Sequence, residues 1–235
     1  MRLIGVGVGP GDPELLTLKA VRVLSTVDRV FVPVLDEREA GRAEATVAGY
    51  APCERIERLV FALNEKHDAR RRHEHWDAAG SRVASWLRES GGSAAFATIG
   101  DPNLYSTFGY LAQTVRDLLP GVVVETVPGI TAMQALASAA GIPLTEGRER
   151  LTLLTSTGSL DRVLESDGSV VVYKGFRHLP ELTAAVKAAG RDAVYGAHLG
   201  LPDERIGPLS EVDGGAPYLS TVLIPAHRDG RGGKL

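Results

Sequence analysis

Apolar residues along this chain fall in short runs separated by glycine- and proline-rich turns, and the runs alternate between two periods. Leu3 to Val8 is nearly continuous in apolar and glycine residues and predicts a strand buried on both faces. After the glycine-rich turn, Asp12, Pro13 and Glu14 carry the cap, first-turn and dipole signals of a helix start. Leu15, Leu18, Val21 and Val23-Leu24 then follow at roughly helical spacing. Arg29–Val34 and Arg55–Phe61 read as strands, with a charged, Ala-rich helical stretch over 36–50 between them. Trp76, Ala79, Val83, Trp86 and Leu87 share one face of a helix that ends at Gly91-Gly92. Ser93–Ile99 is a strand running into Gly100-Asp101-Pro102, and a helix over Ser106–Leu119 stops at Pro120-Gly121. Beyond it the pattern predicts strands Val122–Val127, Leu151–Thr155, Ser169–Tyr173, Ala193–Ala197 and Tyr218–Ile224, and helices Ala132–Ala140 and Leu179–Ala189. This repeated order implies an α/β fold with a mainly parallel sheet and helices on both faces. Pro120-Gly121 is the expected boundary between domains 1–120 and 121–235, and Arg228–Leu235 is expected to be a disordered tail.

Composition narrows the partners more than the fold. The 235 residues are 44% apolar and 23% charged, ordinary globular values. A formal charge of −3 gives no global attraction for nucleic acid or an anionic membrane, so an anionic ligand needs local basic groups. No window reaches the roughly 18 uninterrupted apolar residues of a membrane span, and the chain opens on a strand rather than a secretory signal. Cys53 is the only cysteine, which excludes an intrachain disulfide and points to a reducing cytoplasm. It has no neighbouring base to activate it and reads as structural.

The run Gly5-x-Gly7-x-Gly9-Pro10-Gly11-Asp12-Pro13 lies between first strand and first helix, where α/β folds bind ligands. It is not a dinucleotide fingerprint. The third glycine position is Pro10 counted from Gly5, and Asp12 counted from Gly7. Pro10 also interrupts any row of amides offered to a phosphate, and no Gly-Lys-Ser/Thr follows. The commonest methyltransferase fold keeps an acid at the end of its second strand, but Asp28 stands before Arg29–Val34.

Four segments resemble the tetrapyrrole methyltransferases, which use S-adenosylmethionine. They are Gly9-Pro10-Gly11-Asp12-Pro13-Glu14-Leu15-Leu16-Thr17; Ala97-Thr98-Ile99-Gly100-Asp101-Pro102 with Tyr105-Ser106-Thr107; Val127-Pro128-Gly129-Ile130-Thr131-Ala132 leading to Gly141-Ile142-Pro143-Leu144; and Val171-Val172-Tyr173-Lys174-Gly175. Gly100 to Phe108 and Pro202-Asp203-Glu204-Arg205-Ile206 are most similar to the precorrin-2 C20-methyltransferase branch. Ala62-Leu63 departs from a Pro-Met pair associated with that branch, which leaves the methylated carbon open between C20 and another position such as C11 or C17. A non-catalytic SAM-binding protein is the alternative of a different class. The resemblance implies a two-domain fold, with a mainly parallel first sheet, a mixed second sheet and a cofactor cleft between domains. It also implies a homodimer acting on a reduced tetrapyrrole of cobalamin biosynthesis, with S-adenosylhomocysteine as product.

Carried over position by position, the likeness implies cofactor contacts at Pro10, Ile99, Gly100, Asp101 and Leu104 from the first domain. Thr131, Ala132, Lys174 and Leu199 are the corresponding contacts from the second, and Tyr105 and Ser106 are substrate candidates. Asp101 is suited to attract the cofactor's ammonium or sulfonium charge, or else to close an Asx-turn. Thr131 is suited to cap the helix after it. No catalytic acid or base is nameable. Arg70-Arg71-Arg72-His73 offers guanidinium groups for carboxylates, or else a solvated first helical turn. His73-Glu74-His75 lacks the i, i+4 spacing of a zinc helix, so no metal site is expected. Trp76 and Trp86 read as core, and His178 and His198 as ordinary polar residues or else as substrate or cobalt contacts.

Overall fold

A computed structural model of the chain describes residues 1–61, 69–155, 159–174, 178–212, 215–217, 219–228 and 230. Ala62-Leu63, Gly175, Arg177, Tyr218 and residues 231–235 of the expected tail lie outside the described residues. The chain divides into two compact units, Met1–Thr131 and Ala132–Leu235.

The first unit is built on a five-stranded sheet of β1 (Arg2–Gly7), β2 (Arg29–Val34), β3 (Ile56–Val60), β4 (Ser93–Thr98) and β5 (Val123–Val127), in the order β3-β2-β4-β1-β5. Every pairing in it is parallel. Its helices are α1 (Leu18–Thr26), α2 (Arg42–Val47), α3 (Ala69–Ser90) and α4 (Phe108–Leu118). Successive strand residues face opposite layers. Leu3, Phe31 and Phe96 pack under Val83 and Leu87 of α3 and Leu111 and Val115 of α4. Ile4, Val6, Val30 and Val32 pack under Ala20 and Leu24 of α1 and Ala43 and Val47 of α2. Covering both faces is why these strands carry unbroken apolar runs.

Three expectations change. The break at Pro120-Gly121 is not the unit boundary, because β5 hydrogen-bonds to β1 and so completes the first sheet; the chain divides at Thr131/Ala132 instead. The helix start at Asp12 is a separate 3-10 turn, Pro13–Leu15, in which the Asp12 carboxylate accepts the Glu14 N–H at 2.8 Å. The α-helix begins afresh behind Thr17, whose hydroxyl accepts the Ala20 N–H, and this leaves Leu18 84% exposed rather than buried. The charged stretch over 36–50 is helical only across Arg42–Val47.

Asp28 holds the opposite, N-terminal edge of the sheet. Its carboxylate accepts the backbone N–H and the hydroxyl of Ser93, each at 2.8 Å, and those two bonds hold its pKa below the ordinary value. It joins the start of β2 to the start of β4.

The second unit carries a mixed sheet in the order β6-β7-β10-β8-β9. Its strands are β6 (Leu151–Leu154), β7 (Ser169–Tyr173), β8 (Val194–Ala197), β9 (Arg205–Pro208) and β10 (Ser220–Ile224). Only β6 and β7 are parallel; the other pairs are antiparallel. Helix α5 (Ala132–Ala140) packs Leu136 and Ala137 on one face, against Val171 and Leu223. Helices α6 (Leu160–Leu164) and α7 (Leu179–Ala188) cover the other, against Val170, Val172 and Val222. Arg191 is drawn into this unit by three carbonyls, those of Ser166, Gly168 and Pro225, at 3.2, 2.9 and 2.6 Å. Arg228, expected in the disordered tail, is anchored: it pairs with the Glu149 carboxylate at 2.7 Å, and the two side chains are 15% and 4% exposed.

Candidate active site

All five strands of the first sheet run the same way, so their C-terminal ends share one edge, where parallel α/β sheets bind ligands. Strands β4, β1 and β5 are adjacent in it, and the loops leaving them meet. The Val8 N–H donates to the Thr98 carbonyl at 2.9 Å, and the Gly100 N–H to the Gly9 carbonyl at 2.7 Å, so the first two loops continue the ladder beyond their strands. A Cβ on Gly7 would lie 2.6 Å from both the Gly100 oxygen and the Gly129 nitrogen, and a Cβ on Gly129 would lie 2.1 Å from the Gly100 oxygen. Bare backbone at Gly7 and Gly129 is therefore what lets the three loops close on one another. Gly5 has another role, since a Cβ there would strike the Phe108 ring at 2.5 Å; it seats α4 on the sheet.

Gly100 itself sits at φ +71°, and a Cβ built on it meets nothing within 4 Å. Here, at the end of β4, the backbone borders open space. Pro10 is buried beside it in the first loop, and Ile99, Asp101 and Leu104 are half-buried. Asp101 does close an Asx-turn: one carboxylate oxygen accepts the Asn103 N–H at 2.8 Å. The other accepts the Gly129 N–H at 3.0 Å. Asn103 adds a parallel tie, its amide donating to the Thr126 hydroxyl at 3.3 Å.

Tyr105 is held at φ +51°, a left-handed backbone that non-glycine residues seldom adopt and that marks stored strain of order 1–3 kcal/mol. The residue is 46% exposed. Ser106 spends its hydroxyl within the loop, accepting the Phe108 N–H at 3.1 Å and lying 3.1 Å from the Thr98 hydroxyl. It fixes the start of α4 and leaves Tyr105 as the outward-facing member of the pair.

Of the remaining candidates, Thr131 is buried and closes the first unit, directly ahead of Ala132 at the start of α5. Lys174 and Leu199 lie in the second unit, just after β7 and β8, the two strands that flank β10. Lys174 and His198 both have left-handed backbones, at φ +57° and +52°. Their N–H groups donate to the Ser220 and Leu219 carbonyls at the start of β10. The His198 ring contacts the Asp203 carboxylate through Nδ1. A left-handed backbone at a non-glycine position leaves no mark in the sequence, where His198 stands open between an ordinary polar role and a substrate or cobalt contact. Among the described residues, no group of three His, Cys, Asp or Glu side chains is placed to hold a metal.

A cavity of about 590 Å³ lies along β3 and α2, walled by Glu37, Glu44, Glu57, Arg58 and Cys53 among others. Arg58 is already engaged there by both oxygens of Glu44, at 2.7 and 2.8 Å. The remaining wall is acidic and unsuited to a polycarboxylate, and it is not part of the β4–β1–β5 loop junction.

A parallel sheet with glycine loops gathered at its C-terminal edge, followed by a mixed-sheet unit, defines an α/β protein of two units. The family description "Tetrapyrrole (Corrin/Porphyrin) Methylases" matches residues 2–213, and the chain belongs to this family of methyltransferases. It is 36% identical to "Probable cobalt-precorrin-2 C(20)-methyltransferase" of Methanocaldococcus jannaschii, over 95% of each chain. It is 35% identical to the precorrin-2 C(20)-methyltransferase of Sinorhizobium sp., over 97% of this chain and 96% of that one. The fold matches the crystal structure of uroporphyrin-III C-methyltransferase from Thermus thermophilus with bound S-adenosylhomocysteine. That match has a TM-score of 0.65 and 24% identity, and covers 95% of this chain and 97% of that one.

Proposed function

We propose that this chain transfers a methyl group from S-adenosylmethionine to C20 of precorrin-2 or of its cobalt-bearing counterpart, in cobalamin biosynthesis. The observation that carries the reading is the near full-length similarity to two relatives named for methylation at C20. S-adenosylmethionine supplies an electrophilic methyl group on a sulfonium that leaves as a neutral thioether. The acceptor's electron-rich C20 takes the methyl and then gives up its proton. The chain's own contribution is to position the reactants, an effect worth up to roughly 7–11 kcal/mol when reacting atoms are held in line. The open space at Gly100 suits a cofactor that approaches the backbone closely, with Pro10, Ile99 and Leu104 as apolar neighbours. In this reading Thr131, Ala132, Lys174 and Leu199 complete the cofactor site, and Tyr105 meets the acceptor. The protein is cytoplasmic and assembles as a homodimer; a light-scattering mass of twice 24.9 kDa would bear out the dimer. No helix among the described residues is long and apolar enough to cross a membrane.

The test is incubation of purified protein with S-adenosylmethionine and either metal-free or cobalt-bearing dipyrrocorphin, followed by mass spectrometry and NMR. One added methyl at C20 is expected. Methylation at another carbon, such as C11 or C17, would overturn the regiochemistry. No methylation despite tight cofactor binding would leave a silent SAM-binding protein.

A further inference from the structure

We infer that Asp101 is a positioning residue that clamps two cofactor loops together, and that its charge does not neutralise a charge on the cofactor; this rests on the methyl-donor reading above. A carboxylate at a cofactor loop invites the opposite assignment, since S-adenosylmethionine carries both an ammonium and a sulfonium. The bonds Asp101 already makes favour the first assignment. One oxygen of Asp101 accepts the Asn103 N–H at 2.8 Å, within its own loop. The other accepts the Gly129 N–H at 3.0 Å, from the loop after β5. Both are charge-assisted bonds to backbone amides, the kind that fixes geometry most firmly.

The second bond crosses the closest glycine contact among the described residues, that of Gly129 with the Gly100 oxygen. Gly129 lies against Gly7 and the Gly100 carbonyl so closely that a Cβ has no room. The neighbouring Asn103–Thr126 hydrogen bond ties the same Gly-Asp-Pro loop to the end of β5 with no charge involved. On the other side the Gly100 N–H is held by the Gly9 carbonyl. Asp101 is thus the charged member of a set of ties whose shared result is the position of Gly100.

The two assignments separate in binding experiments with Asp101→Asn, using S-adenosylmethionine and 5′-methylthioadenosine, which keeps the nucleoside but carries neither cationic centre. The asparagine amide keeps one accepting oxygen and sets an NH₂ against the other backbone donor, so one tie is lost. Losing a hydrogen bond to a charged group corresponds to roughly tenfold or more. The clamp predicts that both ligands weaken by a similar factor of this size. Weakening of S-adenosylmethionine with methylthioadenosine held at wild-type affinity would show a counter-charge and overturn the inference, as would wild-type affinity for both. Should Asp101→Asn fail to fold, the pair Asn103→Ala and Thr126→Val removes the uncharged tie instead. The clamp then predicts a smaller weakening shared by both ligands, and no change in either would overturn it. A wild-type protein that binds neither ligand is seen before any substitution is made, and that result overturns the methyl-donor reading itself.

Discussion

A valine at position 100 would place a β-branched side chain on a backbone at φ +71°, while its Cβ points into space with no neighbour within 4 Å. The cost to the fold is local strain, of order 1–3 kcal/mol. The cost to a ligand lying against that backbone is exclusion. Gly100→Val is therefore expected to remain folded and to lose S-adenosylmethionine binding; wild-type affinity in calorimetry would remove Gly100 from the site. Gly129→Ala behaves differently, because its Cβ would lie 2.1 Å from the Gly100 carbonyl oxygen and backbone must move to admit it. Its melting temperature should fall further than that of Gly100→Val, and equal melting would show that the backbone at the loop junction yields at little cost. At this scale the Gly-Asp-Pro loop was legible because glycine and the Asx-turn leave local marks in the sequence. The bond from Asp101 to Gly129 was not, since it joins residues 28 positions apart and depends on the adjacency of β4, β1 and β5. Nor was the strain at Tyr105, Lys174 and His198, where the residue type argues against the backbone it adopts.

Helix α3 runs back from the edge of the sheet where β3 ends, so its first turns lie at the same edge as the glycine loops. Arg70 and Arg71 are exposed there, Arg72 is half-buried, and Arg70 pairs with Glu74 on an outward face at 2.9 Å. Close by, Trp76 is not simply core: it stacks on Tyr110 of α4 with ring centres 4.0 Å apart, and Tyr110 is 52% exposed. A tetrapyrrole bearing several carboxylates needs local cations on a chain of net charge −3. Replacing Arg70, Arg71 and Arg72 by Gln is expected to raise KM for the acceptor several-fold at low salt, and less at high salt, since exposed charges are screened over about 8–10 Å. Affinity for S-adenosylmethionine should not change. An unchanged acceptor KM at both salt levels would reduce the run to a solvated first turn. Elements of this kind were legible wherever periodicity was long, as in the 22 residues of α3. Strand β9 was missed because its four residues are mostly exposed and show no alternation, and α6 because five residues hold barely more than one turn. Strand β5 was assigned to the wrong side of the boundary for a further reason: Pro120-Gly121 punctuates the chain locally, whereas pairing with β1 is settled at a distance.

Over the whole molecule, cohesion comes from apolar layers: two clusters sandwich the first sheet and two more the second. Among the described residues nothing gathers three metal-binding side chains, and Cys53 is an exposed free thiol. A chelator should therefore leave the melting curve unchanged, whereas the methyl donor should raise it. A ligand that binds only the folded state at 100 times its Kd adds about 2.7 kcal/mol. For a chain of this size each kcal/mol moves the melting temperature by roughly 2–4 °C, so a shift of about 5–10 °C is expected at that concentration. If the units melt separately, the shift should appear in the transition of whichever unit supplies the contacts. Gly100→Val supplies the control, since its own curve should respond to neither addition. A fall in melting temperature on chelation, restored by zinc, would contradict a metal-free fold. An equal upward shift in wild type and Gly100→Val would mean that the cofactor binds somewhere other than the β4–β1–β5 loop junction.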